Sequence, residues 1–170
     1  MRRPLVALAL TSLAGIAAAA EPPELLKPMA FLAGHCWKGK LADGKRTDEH
    51  CFAWMVGGQV LRDTHAVRAG DAAVFTGETT YYVDTAAKRV GFLYIESTGG
   101  FSTGSVENGP EALLFPDGRY TSDGETMTYR ARWTRQGEQA YEAWSEAQTP
   151  KGWATMFRLV MKRSDQPSPQ

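Results

Sequence analysis

Residues 35–70 read HCWKGKLADGKRTDEHCFAWMVGGQVLRDTHAVRAG, and this stretch indicates the class of fold. It is rich in residues that favour β-strands, and pairs of turn-forming residues divide it at Asp43-Gly44, Gly57-Gly58 and Gly70-Asp71. Pairs of this kind join neighbouring antiparallel strands into hairpins. The stretch therefore predicts three successive antiparallel strands, over residues 35–42, 45–56 and 59–69.

The same alternation of strands and turns continues along the chain. Further strands are predicted at 72–83, 88–97, 101–107, 111–116, 126–135, 140–149 and 152–163, with Asp117-Gly118 among the turns. Ten antiparallel strands in an open sheet would leave two unpaired edges, and closure removes both. Because successive hairpins need no long crossover, an all-β, up-and-down antiparallel barrel is favoured over a sandwich. A short N-terminal helix over residues 23–33 is predicted from the helical spacing of Leu25, Leu26, Met29 and Leu32.

The first twenty residues have the organisation of a secretory signal peptide. A start containing Arg2 and Arg3 precedes an apolar run, and Ala18 and Ala20 form the small-residue cleavage motif. The apolar run is shorter than the roughly 20 residues that span a bilayer. We expect residues 1–20 to be removed on export to the periplasm or the extracellular space. This leaves a barrel domain over 21–163 and a disordered tail over 164–170.

Charge and hydropathy exclude two classes of partner or anchor. Loss of Arg2 and Arg3 with the signal peptide leaves 17 basic and 19 acidic residues, a net charge of −2. A nucleic-acid-binding domain normally carries a basic patch or stripe, and the sequence has none. No second apolar segment is long enough to cross a membrane. We therefore expect neither a nucleic-acid partner nor a transmembrane segment in the mature chain.

Cys36 and Cys51 are the two cysteines of the chain, and an even number favours a disulfide in an oxidising compartment. If the first turn is a two-residue loop, Cys36 faces Cys51 and Trp37 faces His50. A thiolate metal site is the alternative, because each cysteine follows a histidine, although zinc motifs usually have tighter spacing. The predicted disulfide lies on the face of the hairpin opposite the histidines.

A polar cluster is predicted on the inward face of the same strands. A tight second turn sets His50 opposite His65 and Phe52 opposite Asp63, and a tight third turn adds Glu78 opposite Asp63. Facing residues have Cβ atoms about 4.5–5.5 Å apart, close enough to share one ligand group. The candidate ligand-binding residues are Trp37, His50, Phe52, Trp54, Asp63, His65 and Glu78.

Three interpretations of this cluster stay open. Its side chains could satisfy one another and water at the barrel mouth, or recognise a small, partly apolar ligand. They could also form a metal or catalytic site, in which His50, His65, Asp63 and Glu78 would suit zinc or iron. We favour an exported barrel that binds a small molecule and needs no cofactor. A metal-assisted or acid–base enzyme is the second hypothesis, and an envelope interaction or structural protein is the third.

The segment Phe31-Leu32-Ala33-Gly34-His35-Cys36-Trp37-Lys38-Gly39 resembles the opening of calycin and lipocalin-like barrels, where a short helix leads into a first strand marked by Gly and Trp. It is most similar to bacterial exported proteins of that group whose function is unknown, which continue as here with Glu49-His50, Trp54, Gly57-Gly58 and Leu61-Arg62. A more distant similarity is to nitrobindin, a ten-stranded haem-binding barrel. This chain lacks the histidine near its end that haem ligation there requires, so the resemblance implies the barrel and not the haem.

Overall fold

The protein is represented by a computed structural model that describes residues 21–109 and 111–167, with side chains described as far as Ser164. The predicted signal peptide over 1–20 and the last residues of the predicted tail, 168–170, lie outside these ranges.

Ten antiparallel strands form a closed barrel, as the sequence predicts. Each strand pairs with its neighbours along the chain, and the last strand pairs with the first. Closure satisfies the backbone hydrogen-bonding groups that an open sheet would leave at its two edges. The strands are β1 (His35–Lys40), β2 (Arg46–Met55), β3 (Val60–Ala69), β4 (Ala72–Asp84), β5 (Arg89–Glu96), β6 (Phe101–Asn108), β7 (Ala112–Ser122), β8 (Glu125–Arg135), β9 (Ala140–Thr149) and β10 (Gly152–Pro167).

The register of the first two hairpins agrees with the prediction. β1 and β2 pair Cys36 with Cys51, and these cysteines form a disulfide with Cα atoms 4.0 Å apart. β1 also pairs Trp37 with His50, and β2 and β3 pair His50 with His65. Because side chains alternate between the two faces of a strand, the disulfide lies on the face opposite the histidines.

The third hairpin departs from the predicted register. Val74 is an extra residue that forms a β-bulge in β4. One extra residue moves every later side chain of the strand to the opposite face. As a result Thr79, and not Glu78, lies opposite Asp63. Glu78 pairs with Thr64 and is exposed on the outer face, so its predicted place in the inward cluster is wrong.

The turn predicted at Asp117-Gly118 is also wrong, because these residues form an irregularity within β7. The hairpin turn is at Asp123-Gly124, where both residues have positive φ. The Asp117 carboxylate accepts hydrogen bonds from the backbone N and the Oγ of Ser105 at 2.7 and 2.8 Å, and so fixes the irregular segment to β6. An Asp-Gly pair in the middle of a strand can therefore serve a bulge and not a hairpin turn.

The N-terminal segment closes one end of the barrel. The longer helix predicted over 23–33 is not confirmed, and a 3-10 helix over Glu24–Met29 takes its place. Pro28 lies inside this helix and has no N–H to donate, which prevents a regular helix from continuing. Leu26, Met29 and Leu32 are fully buried in the core, and the indole Nε1 of Trp37 donates to the Leu32 carbonyl at 3.1 Å. These contacts hold the segment across the closed end of the barrel.

β10 extends further than predicted. It continues to Pro167, into the segment predicted to be disordered, because pairing with β1 supplies partners for its backbone. A bulge at Met156 lets both Met156 and Phe157 line the barrel interior. Trp153 lies on the outer face, where the Arg130 guanidinium is 4.5 Å from its ring centroid. Within the described ranges, no helix is both long and apolar enough to span a bilayer.

Candidate functional site

A cavity of about 370 Å³ occupies the barrel interior on the side away from the 3-10 helix. Its outer part is bordered by residues that lie close to hairpin turns, such as Phe75 and Met127. Nine aromatic side chains line it, namely Phe75, Tyr81, Phe92, Tyr94, Phe115, Tyr120, Tyr129, Trp133 and Phe157. The volume is within the range of about 300–1,000 Å³ that is usual for small-molecule sites.

Four polar side chains from β2 and β3 meet on one wall of this cavity. His50 lies between two carboxylates, because its Nδ1 donates to Asp63 Oδ2 at 2.8 Å and its Nε2 is 3.6 Å from Asp48 Oδ2. The Nε2 atom of His65 is 2.6 Å from Asp48 Oδ1. The two imidazole rings stack with their centroids 4.3 Å apart. Asp48 therefore joins both histidines into one network.

The two carboxylates determine the charge of His50. Burial alone would lower the pKa of His50, but the charge of Asp63 and the hydrogen bonds to both carboxylates raise it to about 10. Burial alone would raise the pKa of Asp48, but the hydrogen bonds from both histidines hold it below its ordinary value. At neutral pH the site therefore contains an imidazolium between two carboxylates.

Tyr94 and Asp48 hold the ring of His65 from its two nitrogen atoms. The Oη atom of Tyr94 lies 3.1 Å from His65 Nδ1, within hydrogen-bond distance. Burial and the charge of nearby Glu96 raise the pKa of Tyr94, so its hydroxyl stays protonated. The Nε2 atom of His65 is 2.6 Å from Asp48 Oδ1. These two contacts fix the orientation of the His65 ring.

Gly77 allows Tyr94 to reach His65. The glycine lies on β4 directly opposite His65, and a Cβ atom at this position would collide with the ring of Tyr94. Larger residues at position 77 would therefore push the tyrosine away from the network.

Asp48, His50 and His65 also form the set of described residues that comes closest to a metal site. Each offers a ligand atom within 4.8 Å of the others. An imidazole nitrogen binds a metal through a lone pair in the ring plane, and the planes of these stacked rings are only 14° apart. One ion could not lie in both planes unless a ring turned and lost its Nδ1 hydrogen bond. The observed geometry suits a hydrogen-bonded network better than a metal centre.

A buried carboxylate organises the loop at the open side of the cavity. Glu96 accepts hydrogen bonds from the backbone N and Oγ1 of Thr98, from the N of Gly100 and from the hydroxyl of Tyr120. Burial alone would raise the pKa of Glu96, but these hydrogen bonds lower it. Because Tyr120 lines the cavity, this anchor fixes part of its wall.

The seven binding residues predicted from the sequence lie in three different parts of the structure. His50, Asp63 and His65 have the predicted inward orientation and line the cavity. Trp37 and Phe52 are fully buried in the core, and Trp54 packs against that core, so none of the three is among the cavity-lining residues. Glu78 lies outside the barrel.

Sequence reasoning missed Asp48 and Tyr94. Asp48 precedes His50 by two residues on β2, so strand alternation alone places it on the same face and could have identified it. The position of Tyr94 depends on the β4–β5 pairing, and the loop over 85–88 is too long to set that register from sequence.

No protein-family model matches this chain, and no curated protein is significantly similar to it.

Proposed function

We propose that this protein binds a small, partly apolar molecule inside the barrel, after export to the periplasm or the extracellular space. The observation that carries the proposal is a cavity of about 370 Å³ with aromatic walls and one polar wall. Small barrels without a ligand usually fill their interior with side chains. The Cys36–Cys51 disulfide is compatible with an oxidising destination. The resemblance of residues 31–39 to calycin-like barrels supports the same class of function.

The two kinds of wall suggest how a ligand would lie. The apolar surface lies on the side of β7 and β8 and is formed by Phe115, Trp133 and Tyr129. Asp48 and His65 face the same space from β2 and β3 and offer hydrogen-bonding groups. A molecule with an apolar ring at one end and a polar group at the other would contact both walls.

A pair of substitutions one residue apart tests this proposal. Ser102 is buried and lines the cavity, whereas its neighbour Thr103 is exposed on the outer face. We expect Ser102→Phe to fill the cavity and weaken binding of the neutral probe 3-methylindole at least about tenfold, and Thr103→Phe to leave it unchanged. Calorimetric titration measures the affinity, and circular dichroism verifies that both variants are folded. Equal affinities in the two folded variants, or no binding by the wild type, would contradict the proposal.

The second candidate is an acid–base enzyme, with or without a metal ion. The chain Tyr94–His65–Asp48 favours it, because a carboxylate that orients an imidazole is a common arrangement in proton transfer. Metal analysis of protein purified without a histidine tag distinguishes a metal-assisted enzyme from a protein that only binds a ligand. The binding proposal predicts substoichiometric zinc and iron, and stoichiometric metal retained after dialysis would favour a metal-assisted enzyme.

A further inference from the structure

The carboxylates that line the cavity are not matched by lysine or arginine. Asp48 and Asp63 contribute two carboxylates, and no lysine or arginine of the described residues lines the cavity. The basic side chains beside them are two imidazoles, His50 at 2.8 Å from Asp63 and His65 at 2.6 Å from Asp48. A ligand cation would therefore meet carboxylate oxygens in this cavity and no lysine or arginine of the described residues.

The buried carboxylate of Asp63 independently favours a ligand with a positive charge or an N–H group. Its side chain is only 1% exposed and lines the cavity, and its Oδ1 atom has no hydrogen-bond partner among the described residues. A buried carboxylate oxygen without a donor is electrostatically unsatisfied, so a nearby positive charge or N–H group stabilises it. A third carboxylate, Glu96, lies just behind Tyr120 and adds negative charge at the open side.

The aromatic walls of the cavity also favour a positively charged ligand. Ring faces carry partial negative charge and attract ammonium groups within about 6 Å of the ring centroid. A ligand carboxylate would lose its water shell in this cavity and meet aromatic walls and two carboxylates, with no arginine or lysine in the described lining to pair with it.

We propose that the cavity selects positively charged ligands over negatively charged ligands of the same shape, and that Asp48 is the main source of this selectivity. The inference rests on the proposed ligand-binding function and names the chemical class of the ligand: a compact aromatic or aliphatic amine. Asp48 is preferred over Asp63 as the contact because its side chain is the more exposed of the two, 12% against 1%, and a ligand can therefore reach it.

Three probes that share one ring system test the charge preference. Tryptamine is a cation, 3-methylindole is neutral and indole-3-acetate is an anion at pH 7. Calorimetric titration at low and at physiological ionic strength should show tryptamine binding at least about tenfold more tightly than indole-3-acetate, with 3-methylindole between them. The difference should persist at physiological salt, because a buried charge is screened less than an exposed one.

Matched variants locate the source of the preference. Asp48→Asn keeps an oxygen that can accept the hydrogen bond from His65 but removes the charge. In this variant the advantage of tryptamine over indole-3-acetate should fall by about fivefold or more. Glu78→Gln removes a carboxylate from the exposed outer face and should leave the preference intact.

The outcomes separate this inference from the proposed function. If 3-methylindole binds but tryptamine and indole-3-acetate bind equally well, or the anion binds more tightly, the charge preference is wrong and the binding function stands. If the preference survives in folded Asp48→Asn protein, the role of Asp48 is wrong. If none of the three probes binds the wild type, the binding function and the inference both fail.

Discussion

His50 is held in its charged form by side chains from two strands. Asp63 accepts a hydrogen bond from its Nδ1 atom at 2.8 Å, and Asp48 lies on its other side. His35 provides an internal comparison, because burial and the charge of Arg163 lower its pKa. We expect NMR titration of the imidazole carbons to show His50 fully protonated to about pH 8.5, and His35 titrating below its ordinary value of 6.5. A midpoint near 6.5 for His50 would mean that the network of carboxylates is not formed.

The same pKa shift links the network to stability. The pKa of His50 rises from 6.5 to about 10 on folding, so its protonation stabilises the folded protein. The contribution is complete below about pH 6.5 and is lost as the pH rises through 10. We expect the free energy of unfolding to fall by about 2–4 kcal/mol over this interval.

Chemical denaturation at several pH values measures this slope. It should be markedly smaller in His50→Gln, whose residue 50 cannot titrate, and unchanged in His35→Gln. A wild-type slope that survives in folded His50→Gln would assign the pH dependence to another group.

At the scale of elements, β4 and β5 depend on the contact between Gly77 and Tyr94. A Cβ atom at position 77 would collide with the tyrosine ring, so Gly77→Ala should destabilise the wild type by about 1–3 kcal/mol. In a Tyr94→Ala background the ring is gone, and the same change should cost less than about 0.5 kcal/mol. Urea denaturation of the four proteins of this double-mutant cycle gives the coupling energy. Equal costs in the two backgrounds would show that the glycine is required for another reason.

The first hairpin depends on its disulfide. Cys36 and Cys51 are 15 residues apart, and loop-closure entropy predicts that their bond contributes about 3 kcal/mol. We expect Cys36→Ala/Cys51→Ala to lower the free energy of unfolding by about 2–4 kcal/mol, as measured in urea. Because the bond lies on the face opposite His50, affinity for 3-methylindole should stay the same. Loss of affinity in the folded variant would show that the disulfide positions the site.

Hairpin turns explain how much of the site could be predicted from sequence. The turn pairs in residues 35–70 set the register of β1, β2 and β3 correctly, and with it the pairing of His50 with His65 and of Cys36 with Cys51. The bulge at Val74 could not be predicted, because the segment Ala72-Ala73-Val74 contains no glycine or other signal of a bulge. Because of this one extra residue, Glu78 lies on the outer face and not in the site.

Alternation along a strand predicts which face a side chain occupies but not its depth along the barrel axis. Trp37 and Phe52 have the predicted inward orientation, yet they lie in the core at the end closed by Leu26 and Met29. Depth depends on where the N-terminal segment packs, and local sequence does not carry that information. The place of Phe115 in the aromatic wall could not be predicted for a similar reason, since the register of β7 depends on an internal irregularity.

At the scale of the whole molecule, the barrel has a solid end and a hollow end. The 3-10 helix and its buried neighbours fill the solid end, whereas the hollow end has an aromatic wall facing a polar one. A closed sheet keeps these walls at fixed positions, since each strand is paired on both sides. Preorganised walls reduce the entropy cost of binding. We therefore expect a small molecule to bind at the hollow end and nowhere in the solid end.

Methyl NMR of methionine-labelled protein tests this claim most directly, because methionines mark both ends. Met127 and Met156 line the cavity, whereas Met29 and Met161 are buried in the core. On titration with 3-methylindole, we expect saturable shifts of the Met127 and Met156 methyl signals with little change at Met29 and Met161. Shifts confined to Met29 and Met161, or no saturable shift at Met127 and Met156, would contradict it.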